Sequence, residues 1–112
     1  SVVKKGAGNA ASFKDDGSLV LKGTVRQNVA ITPTSSNEFI IKNDAGNPVA
    51  MVNLVTGNMV IKGSLLKNQP SLTPSASGND FIVKDSNGNV VSYIDEGGNL
   101  YLKGLLVENG NP

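Results

Sequence analysis

The chain has 112 residues, 38% of them hydrophobic and 17% charged, with a formal net charge of +1. That is one domain with a modest core, and it lacks the basic surplus that nucleic acid or an anionic membrane surface attracts. Histidine, cysteine and tryptophan are absent, which excludes Ser-His-Asp and Cys-His nucleophile systems and thiolate or imidazole sites for zinc, copper or haem.

The enriched residues are turn formers, with 13 glycines and 14 asparagines, both of which tolerate left-handed backbone angles. No apolar run reaches the roughly 18 residues of a transmembrane helix. The chain opens at Ser1 without the charged and apolar regions of a signal peptide, so it is expected to be a processed product or a fragment.

Taken in order, the chain repeats one unit three times. The first copy, residues 1–28, reads SVVKKGAGNAASFK and then GSLVLKGTVRQN. A linker over 29–37, with Ile31-Thr32-Pro33, leads to the second copy, residues 38–68. It reads FIIKNDAGNPVAMV, a loop, and GNMVIKGSLLKN. A second linker over 69–79, with Leu72-Thr73-Pro74, leads to the third, residues 80–109. It reads FIVKDSNGNVVSYI, a loop, and GNLYLKGLLVEN. The period is about 40 residues, the signature of a repeat architecture. Gly8-Asn9, Gly46-Asn47 and Gly88-Asn89 are aligned, as are Lys22-Gly23, Lys62-Gly63 and Lys103-Gly104. Length differences are assigned to one surface loop, at Asp15-Asp16, Asn53 to Thr56 and Asp95 to Gly97.

Each unit is predicted to be strands. Its apolar runs are short, rich in Val, Ile and Leu, and bounded by Gly, Asn and Asp. Lys42 to Asn47 and Lys84 to Asn89 are predicted hairpin turns. Gly23, Gly63 and Gly104 interrupt the apolar pattern and predict a bulge or a bend into a fourth short strand. Alternation points Leu19, Leu21, Met59, Ile61, Leu100 and Leu102 inward, and Val20, Val60 and Tyr101 outward with Lys22, Lys62 and Lys103. Val25, Leu65 and Leu106 are assigned one shared position, Phe39 and Phe81 another, and Phe13, Met51 and Tyr93 a third. The aromatic residues at recurring positions are expected in the core. The fold class is therefore all-β, three repeats of short antiparallel strands and hairpins in a stacked or elongated array, with a closed β-trefoil as the alternative.

The run DFIVKDSNGNVVSYIDEGGNLYLKGLLVEN resembles a short β-repeat carried by secreted surface and fibre-type proteins of bacteria and archaea, pilus- and tail-fibre-like. Phe81 to Lys84, Gly88 to Val91, Ile94-Asp95 and Gly98 to Gly104 carry the resemblance. It covers the third unit, the second apart from its longer loop, and the first poorly, because Ala10 and Ala11 replace a large apolar pair. The resemblance implies an extracellular or cell-surface structural context and carries over no functional residue. The hairpin text from Phe81 to Leu102 is also similar to the hairpin pattern of trefoil proteins.

Chemistry-bearing patterns are few. Asp85, Asn87 and Asn89, followed by Glu96, occupy the first, third, fifth and twelfth places of a calcium loop. The glycine required at the sixth place is Val90, and the flanks are strands; an Asx-turn explains the same residues. Ser64-x-x-Lys67 has the spacing of a serine–lysine catalytic pair but lies in a predicted strand without its partner motifs. Asp15-Asp16 and Asp95-Glu96 are neighbours on turns and cannot flank a sugar. The repeated lysines are read as edge protection rather than as an anion-binding stripe.

No enzymatic activity and no cofactor are expected. The expected role is a structural subunit of an extracellular filament, a pilus or fibre. One form is a β-rich subunit that covers a separate helical pilin. It would assemble with itself or with another filament subunit through strand addition and hydrophobic contacts, with Val2 and Val3 at one end and Leu105, Leu106 and Val107 at the other as assembly contacts. The strand at Leu105 to Glu108 is expected to find its partner on the next subunit. The alternative role is a monomeric trefoil-like module that binds sugar or protein.

Overall fold

The computed structural model describes residues 1–75 and 80–112. The last part of the second linker, residues 76–79, lies outside the described residues. The described residues form strands and turns and no helix.

Each unit supplies four strands. The first gives β1 (Val2–Lys5), β2 (Gly8–Phe13), β3 (Leu19–Leu21) and β4 (Val25–Arg26). The second gives β5 (Glu38–Lys42), β6 (Pro48–Asn53), β7 (Met59–Ile61) and β8 (Leu65–Leu66). The third gives β9 (Phe81–Lys84), β10 (Val90–Ile94), β11 (Leu100–Leu102) and β12 (Leu106–Val107). The first three strands of a unit make an antiparallel meander. The fourth leaves its own sheet and pairs in parallel with the third strand of another unit. β4 joins β7, β8 joins β11, and β12 returns to β3. The result is three four-stranded sheets, β1-β2-β3-β12, β5-β6-β7-β4 and β9-β10-β11-β8, closed in a ring of 33 × 31 × 22 Å.

The all-β class and the threefold repetition are as expected. The units do not run on as an elongated array, because the last strand has a partner inside the chain. That corrects the expectation for Leu105 to Glu108: Leu106 and Val107 pair with Leu19 and Val20. Closure satisfies an edge that an open array would leave exposed. The three sheets also remain separate rather than merging into one barrel.

Repeated hydrogen bonds fasten the ring. The amides of Gly23, Gly63 and Gly104 donate to the carbonyls of Gly57, Gly98 and Gly17 at 3.1–3.2 Å. Those of Met59, Leu100 and Leu19 donate to Thr24, Ser64 and Leu105 at 2.8–2.9 Å. A Cβ on Gly23, Gly63 or Gly104 would come within 2.8–2.9 Å of the backbone nitrogen of Asn58, Asn99 or Ser18. These glycines mark the close approach of one unit to the next, and the chain bends at each Lys-Gly pair before the fourth strand. A bulge is present elsewhere, between Val3 and Lys4, Ile41 and Lys42, and Val90 and Ser92. There Ala10, Val49 and Val91 turn their carbonyls to the amides of Lys22, Lys62 and Lys103 at 2.9–3.0 Å. Each unit closes on a left-handed asparagine, Asn28, Asn68 or Asn109, with φ of 57°, 56° and 51°.

The core has two layers along the inward faces. Leu21, Ile61 and Leu102 pair with Ala11, Ala50 and Ser92 in one, large residues against small. Leu19, Met59 and Leu100 pair with Phe13, Val52 and Ile94 in the other, and all six strand residues expected inward are buried. Val25, Leu65 and Leu106 pack against this core as a matched set. The set of Phe13, Met51 and Tyr93 requires correction. Phe13 matches Val52 and Ile94, whereas Met51 and Tyr93 match Ser12. The first hairpin of unit one is a residue shorter, since Lys5 and Gly8 pair around a two-residue turn. A one-residue slip exchanges the two faces of a strand. Gly8-Asn9 is therefore not equivalent to Gly46-Asn47, whose Gly46 has φ of 83° while Gly8 is not left-handed.

Candidate functional site

The outer faces of the sheets are the first candidate surface. Residues directly opposite in a sheet share a face. On the first sheet the outward row runs Val2, Ser12, Val20, Val107. On the second it runs Ile40, Met51, Val60, Arg26. On the third it runs Ile82, Tyr93, Tyr101, Leu66. Val2 is 51% exposed, Val107 43% and Ile82 39%. Leu105, 54% exposed, lies beside the first row. Of the expected assembly contacts, Val2, Leu105 and Val107 are thus exposed, whereas Val3 and Leu106 pack against the core. The row as a set was missed in the sequence because it depends on which strands are neighbours.

Tyr101 faces outward as expected, but it is not a free platform. Its ring stacks on Tyr93 at 4.4 Å and 15°, and Tyr93 is only 8% exposed. Each ring covers a face of the other. The Tyr101 hydroxyl donates to Asp95 Oδ2 at 3.0 Å, and the Asn99 amide donates to the same oxygen at 3.1 Å. Burial first, and then the hydrogen bond and charge of Asp95, push the Tyr101 phenol up to about 12. Burial and the Asp95 charge also raise Tyr93.

The polar patterns resolve into turns. Asp85 Oδ1 accepts the amides of Asn87 and Asn89, both at 2.9 Å. The Asn89 amide is the main cause that holds the Asp85 carboxyl below its usual range. Glu96 reaches a different unit, where its Oε1 accepts the amide of Asp44 at 2.8 Å. Glu96 therefore does not complete a calcium loop with Asp85. Among the described residues no three carboxylates converge on a metal position. Ser64 donates its hydroxyl to Asn28 Oδ1 at 3.4 Å and directly precedes β8, so it and Lys67 lie along extended chain, not on a helix. The lysine reading also needs correction. Lys22, Lys62 and Lys103 follow β3, β7 and β11, which are paired on both sides, so they protect no edge.

The second candidate is a pocket of about 430 Å³ at one end of the ring, lined by Phe13, Phe39, Phe81, Leu54, Val3 and the Ser1 end of the chain, with Lys4 and Glu38 also in its wall. Phe81 lies between two rings, with centroids 5.8 Å from Phe13 and 6.0 Å from Phe39 at 54° and 68°. Glu38 is fixed, because its Oε1 accepts the amides of Thr34 and Ser35 at 2.8 and 2.9 Å. The recurring positions of the phenylalanines in the sequence point to the core but not to a pocket, since the three rings come from three units.

The chain matches no protein-family model, no curated protein and no solved structure. Among the described residues no helix is long and apolar enough to cross a membrane.

Proposed function

We propose that the protein is a non-catalytic structural subunit of an extracellular filament, a pilus or fibre, joined to copies of itself or to another filament subunit through the outer faces of its sheets. The observation that carries this reading is the mainly apolar outward row on each of the three sheets, interrupted only by Ser12 and Arg26, with Val2, Val107 and Ile82 as its exposed members. An antiparallel sheet with one face on a core ordinarily turns polar residues to water on the other. Contiguous exposed apolar surface is a mark of an interaction site. The resemblance of the repeats to those of secreted fibre proteins supports the extracellular setting.

Face packing replaces strand exchange at the C-terminus, where β12 is already paired. Strand addition keeps a place at β1, β5 and β9, which end their sheets with one side unpaired among the described residues. The face-to-face stacking of Tyr93 on Tyr101 covers one face of each ring and disfavours sugar stacking there.

The test is electron microscopy with light scattering on the same sample. The protein should form filaments or a defined oligomer. Val107→Lys combined with Ile82→Lys should return it to a folded monomer with an unchanged circular dichroism spectrum. A wild-type chain that stays at 11.6 kDa at high concentration would overturn the reading.

A further inference from the structure

The pocket arises from a break in the threefold pattern. Phe39 pairs with Val52, and Phe81 with Ile94. The corresponding pair in the first unit is Ser1 with Phe13, which exchange backbone hydrogen bonds at 2.7 and 2.8 Å. Two units therefore send a phenyl ring inward from their first strand, and the first unit has a serine hydroxymethyl there. Phe13 returns one ring, but from the second strand. The place that a third first-strand ring would fill lies open beside Ser1.

We propose that this pocket binds a small aromatic ligand, one ring with a short substituent. An apolar cavity of about 150 Å³ accepts benzene, and this pocket is larger, at about 430 Å³. The existing rings set its preference. They meet in tilted and edge-on arrangements, which suit an added aromatic ring through its quadrupole. A second copy of the chain has no ring to spare. Its five aromatic residues, three Phe and two Tyr, are all engaged in ring pairs. Lys4, Glu38 and Ser1 supply polar groups for the substituent.

The test is a titration with benzyl alcohol, followed by the NMR signals of the Val3 and Leu54 methyl groups and the phenylalanine rings. Using the Val107→Lys, Ile82→Lys double variant, whose altered residues are outside the pocket lining, separates ligand binding from self-association. A saturable response confined to these residues is expected. Ser1→Phe, which restores the missing ring, should weaken binding at least tenfold and raise the melting temperature. Leu54→Glu, placing a charge in an apolar wall, should weaken it at least tenfold without loss of fold. Cyclohexylmethanol should bind at least threefold more weakly. An unsaturable or dispersed response, unchanged affinity in a folded Ser1→Phe or Leu54→Glu variant, or equal affinity for cyclohexylmethanol would overturn the proposal.

Discussion

Tyr101 shows how much a single position can depend on its neighbours. Alternation along its strand is enough to place it on the outer face. Its pairing with Tyr93 and its bond to Asp95 require β10 and β11 to be in register. The consequence is a pH effect of definite sign. Tyrosine in an unfolded chain ionises near pH 10, and folded Tyr101 near 12. Between these values the unfolded state has released a proton that the folded state still holds, so stability falls as pH rises from about 10 to about 12. Melting temperatures measured across that range should fall less steeply in Tyr101→Phe. Tyr93, raised in the same direction, accounts for a remaining slope. Equal slopes in the two proteins would contradict the shift assigned to Tyr101.

At the level of the elements, the turns decide how units meet. Gly17, Gly57 and Gly98 lie in the left-handed region, with φ of 85°, 72° and 79°. Each sits under another unit's lysine: a Cβ on Gly98 would fall 2.6 Å from the Val49 carbonyl oxygen and 2.9 Å from Lys62 Cβ. Gly98→Ala combines a left-handed backbone penalty with overpacking, and should cost about 3 kcal/mol in chemical denaturation. Gly46→Ala has the same sign of φ, at 83°, with nothing within 4 Å of the added carbon. It should cost only about 1–2 kcal/mol. Equal costs would show that the close approach between units is not maintained in solution. The Gly-Asn text at Gly46, Gly57 and Gly98 marks these places as turns, but not which turns another unit covers.

For the whole molecule the decisive feature is that the ring closes. The three crossing strands are equivalent in place though not in sequence. Gln27 Oε1 accepts the Leu65 amide at 2.8 Å and Glu108 Oε2 accepts the Val25 amide at 2.9 Å, while Lys67 at the third such position has no acceptor to offer. In an open array the final strand would matter less than a middle one. In a closed ring Leu106 and Leu65 occupy equivalent places against the core. Leu106→Ala and Leu65→Ala should each lower stability by about 2 kcal/mol, within 1 kcal/mol of one another, in one cooperative transition. A much smaller effect at Leu106 would mean that the ring opens at its ends.

Sequence alone determined the strands, the threefold repeat and the inward residues Leu19, Leu21, Met59, Ile61, Leu100 and Leu102, because alternation and turn chemistry are local properties of the chain. It also carried the bend at Gly23, Gly63 and Gly104. The alignment of the first unit failed by one residue, since a shortened hairpin leaves no trace in composition yet reverses the faces of Ser12 and Phe13. The partner of Leu106–Val107, the outward apolar rows and the pocket beside Ser1 were decided by tertiary structure. Each depends on which strands lie side by side, and the strands that cross between units pair residues 34 to 87 positions apart in the chain. Backbone pairing and burial select such neighbours only when the ring is complete.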